Sequence, residues 1–499
     1  MGRLRPAFDN DKYLEIQKKA ILDRISMYDK KLYLEFGGKL FDDYHASRVL
    51  PGFAPNAKIH LLLSLKEKAE IVIAVNCKDI VSNKVRGDIG ISYSAEVERL
   101  ITAFLRLGLK VNSVVVSFYE QSPAIDEFEK KLKNNGVKMY RHYQINGYPQ
   151  NVPLILSKDG LGRNDYIKTT RPLVVVTAPG PGSGKMATCL SQLYLDSVRG
   201  IKSGYAKYET FPIWNIPLKH PVNLAYEAAT VDLDDVNMID PYHLEAYGKQ
   251  AVNYNRDVET FPLLKSIFNQ IYGSSPYQSP TDMGVNMAGY AIIDDDAACN
   301  ASKREIVRRY YEVQKNIFLG RFKDTTLNKI ELLMNQVNVT PMNRKCVKAA
   351  LDKHEQCHEP SMAMELPDGR IVTGRRSTLL GASAALLLNA LKTLGNIDDS
   401  MYLISPSVVE PICKLKTEGL HNNNPRMHAE EALIALAIQA NTNPLADIAL
   451  KQLPNLRTAQ VHSSNILSDV DLNTFKKLGV DVTEEPISYI KNILLEHNL

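Results

Sequence analysis

The feature that most restricts the fold of this chain is an alternation in its first part. Apolar runs occur at 31–36 (KLYLEF), 69–75 (AEIVIAV), 111–119 (VNSVVVSFY) and 171–179 (RPLVVVTAP), bounded by Gly, Pro or Asn. Short β-branched runs of this kind read as strands buried on both faces. Between them, SAEVERLITAFLRLG (94–108) and PAIDEFEKKLKNNG (123–136) carry apolar residues at helical spacing and stop at glycine. Strand–helix–strand repetition predicts an α/β fold, with a parallel sheet inside a three-layer domain spanning 1–222. From 223 to 337 the β-rich runs vanish, and stretches such as REIVRRYYEVQKNIFLGRF (304–322) predict a mostly helical region. A further α/β domain is expected over 338–499. It opens with a helix (343–359), followed by a hairpin turning at Asp368-Gly369 within MELPDGRIVTG (364–374). Helices at 382–395 and 427–441 then alternate with strands at 400–406 and 457–464, so that 382–420 and 427–480 read as two weak copies of helix–strand–helix.

The stretch VVVTAPGPGSGKMATCLSQLY places glycines and a lysine between a buried strand and an amphipathic helix. Glycines let backbone N–H groups approach an anion, the helix N-terminus adds partial positive charge, and the lysine reaches a terminal phosphate. Gly180, Gly182, Ser183, Gly184 and Lys185 are therefore candidate phosphate ligands, and the turn reads as P-loop-like. The spelling departs from G-x-x-x-x-G-K-[ST] at Pro179 and Met186. The usual magnesium-binding hydroxyl is missing, and Ser183 or Thr188 would have to replace it. ATVDLDDVNMID (229–240) offers Asp232, Asp234, Asp235 and Asp240 as candidate metal-binding carboxylates, although a solvated acidic loop is the preferred reading of that run. The ligand class implied is a nucleotide or another phosphorylated small molecule, with or without magnesium. A tight turn carrying a surface lysine is the plain alternative.

A second polar loop follows the first strand in EFGGKLFDDYHASRVLPG. Glu35, Gly37, Gly38, Lys39, Asp42, Asp43, His45 and Arg48 crowd behind it. Strand ends are where open α/β sheets bind ligands, so these eight residues form a candidate substrate loop. A surface turn into the next helix is the competing reading.

KHEQCHEP contains H-E-x-x-H at His354, Glu355 and His358. Two histidines one helical turn apart suit zinc, with the glutamate as base. The third ligand is missing: Ser361 and Met364 stand where a longer motif needs Gly and His, and Pro360 ends the helix. Zinc is not favoured here, and the two histidines are expected to face the core. His428-Ala429-Glu430 spells the H-x-E of zinc deaminases, but no paired thiolates follow. His428, Glu430 and His462 are left as a polar cluster without a metal, or as a solvated helix start capped by Asn424.

Composition excludes several classes. The 499 residues carry a net charge of +4 without a long basic run, so neither nucleic acid nor an anionic membrane is implied. Six dispersed cysteines without C-x-x-C suit a reducing compartment. There is no apolar leader and no run of membrane-spanning length, so a cytoplasmic protein is expected. A homo-oligomer is compatible with all of this.

The strings FDNDKYLEIQ, LEFGGKLFDDYHASRVLPGF, TAPGPGSGKMATCLSQLY, DLDDVNMIDPYHLEAYG and LPDGRIVTGRRSTLLGASAA resemble a bacterial family of uncharacterised proteins, known as a domain of unknown function. The resemblance covers nearly the whole chain. It implies an N-terminal α/β part with a phosphate-loop-like turn, a helical part, and a C-terminal part similar in fold to cytidine deaminases. Some members have carried labels such as ATP-dependent peptidase; the resemblance brings no established activity and no catalytic residues. Three readings stand: a phosphate-ligand protein that performs group transfer or hydrolysis, a zinc hydrolase at H-E-x-x-H, and a non-enzymatic assembly or regulatory protein.

Overall fold

The four expected strands form the centre of a seven-stranded sheet in the computed structural model, which describes residues 6–28, 31–38, 40–41, 43–86 and 90–487. They are β1 (Lys31–Phe36), β2 (Ala69–Asn76), β3 (Lys110–Ser117) and β5 (Leu173–Thr177). The sheet also contains β4 (Lys138–Arg141), β6 (Ser203–Tyr208) and, after a small antiparallel pair β7 (Asn237–Ile239) and β8 (Val252–Tyr254), the short β9 (Gly284–Val285). Strand order is β4-β3-β2-β5-β1-β6-β9, and every neighbouring pair is parallel. Alternation along the strands sends Leu34, Ile73, Val114 and Val175 to one core, and Tyr33, Val72, Val115 and Val174 to another. Helices Tyr93–Arg106 and Pro123–Asn134 cover the first face, whereas Lys185–Val198 and Asn255–Tyr272 cover the second. Burying a Val or Leu completely contributes about 1.5–3 kcal/mol, and these strand residues are no more than 1% exposed.

The sequence pattern misses β6. SGYAKY holds a glycine and a lysine where a buried strand normally holds Val or Ile. The glycine has a packing reason: a Cβ on Gly204 would enter the Tyr28 ring. The lysine is neutralised by Glu209 and by partners distant in sequence, described below.

The chain folds as two compact units. Pro6–Glu227 and Asp235–Ala298 contain the seven-stranded sheet; Ala228–Asp234 and the described part of Cys299–Leu499 form the other. The stretch 223–337, read as one helical region, is thus divided between them, and it contains the short strands β7, β8 and β9. The second unit holds a mixed sheet of β10 (Ser361–Glu365), β11 (Ile371–Arg375), β12 (Gln460–Ser463) and β13 (Asp481–Glu484), in the order β11-β10-β12-β13. β10 is antiparallel to both neighbours, and β12 runs parallel to β13. The expected strand at 400–406 does not form. Leu403 and Ile404 are buried as loop anchors, and Pro406 occupies the first turn of helix Pro406–Lys414. A short apolar run before proline carries the composition of a strand, but proline's fixed φ suits a helix start. The two weak copies therefore differ, since only the later one contains a strand.

Candidate functional site

Crossovers in the seven-stranded sheet run in both directions from its centre. β5 is inserted between β1 and β2, and the helix after it covers the face opposite to the helices that follow β2 and β3. This is a topological switch point, and the crevice beyond the strand ends there is where such sheets bind ligands. The turn from Ala178 to Gly184 leaves β5 at this position, and helix Lys185–Val198 starts directly after it.

The turn is held by the ends of the two strands on one side of β5, β2 and β3. Asn76, ending β2, donates from Nδ2 to the Gly182 carbonyl at 3.2 Å. Ser117, ending β3, donates from Oγ to the Ser183 carbonyl at 3.0 Å. Ser183 turns its own hydroxyl back to the Gly180 carbonyl at 2.9 Å. Gly184 caps the helix at φ +83°, and a Cβ there would lie 2.8 Å from the Ser117 Cβ. Gly184→Ala therefore meets both left-handed strain and a clash, and is expected to cost about 1–3 kcal/mol, read as a lower urea midpoint at unchanged slope. Lys185 is half-buried in the first helical turn, and no hydrogen bond or ion pair to it occurs among the described residues. Thr188 is buried, and its hydroxyl has no hydrogen-bond partner among the described residues. Met186 packs against the core of the second face.

The second predicted loop divides into separate roles. Lys39 and Asp42 lie outside the described residues. Gly37 donates its N–H to the Tyr208 carbonyl at 3.2 Å, tying the end of β1 to β6. Gly38 lies close to the Lys58 ammonium at φ +70°. Asp43 accepts from the Ala46 N–H and pairs with Lys58 at 2.9 Å. Burial pushes its carboxyl up, but the Lys58 ammonium outweighs this and holds it below the ordinary range. His45 stands on helix Tyr44–Val49 beside the stacked Phe211–Tyr226 pair, 5.5 Å from the Phe211 ring. Arg48 is half-buried in the last turn of that helix.

Glu35 leads to a group that sequence reasoning missed. It is buried on β1, accepts from the Tyr205 hydroxyl at 2.8 Å, and is in register with Lys207 on β6. The Lys207 ammonium is 2.8 Å from Glu209 and also contacts Asp257 and the Tyr254 hydroxyl. Tyr254 donates to Glu209 at 3.2 Å. Lys207 and Asp257 side chains are 8% and 7% exposed, and Glu209 is 12% exposed. Burial alone would lower the lysine, but Asp257 and Glu209 raise it well above its usual value, so it is a fixed cation and not a nucleophile. Glu209 is raised as well, toward its neutral form. Desolvation, opposed by Lys207 and reinforced by Asp257, pushes it up to about 7. One ammonium faces several carboxyls, and Glu209 is the carboxyl left holding a proton near neutrality. Perturbed groups of this kind cluster at functional sites. The available signal was Tyr205-Ala206-Lys207-Tyr208-Glu209, in which ionisable residues alternate with aromatic ones at inward strand positions.

Other sequence candidates are held in place by local structure. Asp234 pairs with Lys329, Asp235 with Arg256, and Asp240 caps helix Pro241–Tyr247. In the second unit, His354 sits in the last turn of helix Lys345–Cys357, with Nδ1 2.8 Å from the Glu359 carbonyl. His358 has left the helix at φ +53° and is exposed, as is Glu355. The expectation that both histidines face the core is therefore incorrect: the turn before Pro360 swings His358 into solvent. Among the described residues no third ligand closes around them. His428, rather than Asn424, caps helix Ala429–Gln439, and its Nδ1 pairs with Asp471 at 2.9 Å. His462 pairs separately with Glu485 at 3.1 Å, and Glu430 lies 4.0 Å from Lys477. These three residues do not share one hydrogen-bonded site.

Together these features define a two-unit α/β protein, with a parallel sheet whose switch point carries a glycine turn in the first unit and a mixed sheet in the second. The chain belongs to the DUF1846 family: the model described as "Domain of unknown function DUF1846, N-terminal" matches residues 6–338, and its C-terminal counterpart matches 342–494. It is 56% identical over 481 residues to a UPF0371 protein of Streptococcus pyogenes serotype M5 (strain Manfredo), covering 96% of this chain and 97% of that one. A UPF0371 protein of Streptococcus equi subsp. zooepidemicus (strain H70) is 55% identical over the same length, covering 96% of each. The family is bacterial and without an assigned function. No helix among the described residues is long and apolar enough to cross a membrane.

Proposed function

We propose that this protein binds a phosphate-bearing small molecule, a nucleotide or a sugar phosphate, in a P-loop-like turn at 180–185. The observation that carries this reading is Lys185. A half-buried lysine without a hydrogen-bonded or ion-paired partner among the described residues starts a helix at the sheet's switch point, behind a glycine turn. The helix N-terminus adds its own attraction for an anion. Lys185 would reach the terminal phosphate, and the backbone N–H groups of Gly182, Ser183 and Gly184 would surround it. The Ser183 hydroxyl is engaged by the Gly180 carbonyl, and the Thr188 hydroxyl, unpartnered among the described residues, is the candidate ligand where magnesium takes part. The second unit is read as a deaminase-like scaffold, supported by its helix, hairpin and helix order, with neither thiolate of the zinc site present.

The test is a thermal-shift panel of inorganic phosphate, AMP, ADP and ribose 5-phosphate on wild type and Lys185→Met. A charge-assisted hydrogen bond is worth about 1.5–3 kcal/mol. Lys185→Met is therefore expected to weaken binding about 10- to 100-fold while melting normally without ligand. No shift of the wild type with any of the four, or equal shifts for both proteins, would sink the proposal.

A further inference from the structure

We infer that the ligand of the 180–185 turn is a nucleotide and not a sugar phosphate, and that its base stacks on Phe118. This rests on the phosphate reading of the turn for the position of the other end of the ligand.

The turn leaves β5, meets the end of β2 at Asn76 and reaches β3, two strands away. Ser117, the last residue of β3, holds the Ser183 carbonyl and lies against Gly184, the cap of the helix that Lys185 starts. Phe118 is the next residue. A Cβ on Gly184 would be 2.8 Å from the Ser117 Cβ, and consecutive Cα atoms are about 3.8 Å apart, so the Phe118 Cα lies within about 10 Å of the Gly184 Cα. A phosphate held at 182–185 and a base lying on Phe118 are therefore within the reach of one nucleotide.

The conformation of Phe118 sets it apart from the rings around it. Strand alternation assigns it to the first face, where Val114 and Val116 are fully buried. Instead the backbone turns to φ +49° at Phe118, its side chain is 43% exposed, and Tyr119 packs against that core in its place. A left-handed backbone at a bulky residue persists only where its surroundings hold it, and such positions cluster at ligand sites. Here both neighbours are held: Ser117 by the turn, and Tyr119 through its N–H, which donates to the His142 carbonyl at 2.9 Å. The adjacent rings already have partners. Tyr119 meets Tyr143 edge-on at 5.7 Å, and the Arg141 and Arg163 guanidinium groups lie 5.3 and 4.3 Å from the Tyr119 and Tyr143 ring centres. Phe118 alone of the three has no ring or cation against it among the described residues. An unpartnered aromatic face beside an anion site suits a flat ring, which a nucleobase supplies and a sugar phosphate lacks. Every base has a π-face, so Phe118 selects nucleotides as a class and does not choose among bases.

The test is titration calorimetry on wild type, Phe118→Gly, Phe118→Tyr and Lys185→Met, with inorganic phosphate, ribose 5-phosphate and AMP as probes. Wild type is expected to bind AMP more tightly than ribose 5-phosphate by about 5- to 150-fold, the range for one base stacked on an aromatic side chain. Phe118→Gly loses that margin and keeps its affinity for inorganic phosphate and ribose 5-phosphate. Phe118→Tyr keeps the ring and the margin, and Lys185→Met weakens all three probes. Glycine accepts a left-handed backbone without strain, so Phe118→Gly folds, and its melting temperature without ligand checks this. If wild type binds AMP no more tightly than ribose 5-phosphate, or Phe118→Gly leaves the margin unchanged, the inference is overturned and the phosphate reading stands. The same holds if Phe118→Gly weakens all three probes alike, because Phe118 would then act on the turn through Ser117 and not on a base. A margin lost equally in Phe118→Tyr would also overturn it. If wild type binds none of the probes, both fall.

Discussion

Lys207→Met is expected to lower the stability of the sheet-containing unit by about 3–5 kcal/mol, the usual cost of removing one partner from a buried ion pair. The reason is the charge left behind. Glu209 and Asp257 lose the ammonium that touches both, and Glu35 loses a cation in register with it. Methionine fills the volume of the lysine stem, so the loss comes from electrostatics and not from a cavity. The sign of the pH dependence follows. Without the ammonium the carboxyls can escape only by protonation, so the deficit should shrink toward pH 5 and grow toward pH 8. Urea melts of both proteins at the two pH values measure it. A deficit independent of pH would point to packing as the cause and would remove Lys207 as the cluster's counter-charge.

The same cluster explains what could be read in the sequence and what could not. β1, β2, β3 and β5 were legible because strands buried on both faces need apolar runs, and 31–36, 69–75, 111–119 and 171–179 supply them. The hairpin at Asp368-Gly369 was legible because a turn is local chemistry; Gly369 takes φ +86°. β6 was hidden because the burial of its lysine draws on Asp257 and Tyr254, which arrive from a later part of the chain, besides the local Glu209. The order of strands was hidden for a related reason. β5 enters between β1 and β2 after β3 and β4 have formed their edge, and nothing local to 171–179 encodes that insertion. Short motifs failed differently. His354 and His358 satisfy a helical spacing, but the helix ends at Cys357, one residue too early to align them. Spacing predicts a shared face only while the helix continues.

Glu209→Gln should move stability in the opposite direction to Lys207→Met. Its folded-state carboxyl is raised from 4.5 to about 7, so the folded protein holds a proton that the unfolded chain releases. Wild-type stability therefore falls as pH rises from about 4.5 through 7 and levels off above, because the folded state binds more protons across that window. A raise of this size corresponds to about 3 kcal/mol at pH 8. Glutamine cannot ionise, so the variant avoids this loss: it should be more stable than wild type at pH 8, with the advantage vanishing near pH 4.5. The two melting curves, followed across that range, should converge at the acid end. Parallel curves would mean that Glu209 titrates normally and that the buried ion cluster holds no extra proton near neutrality.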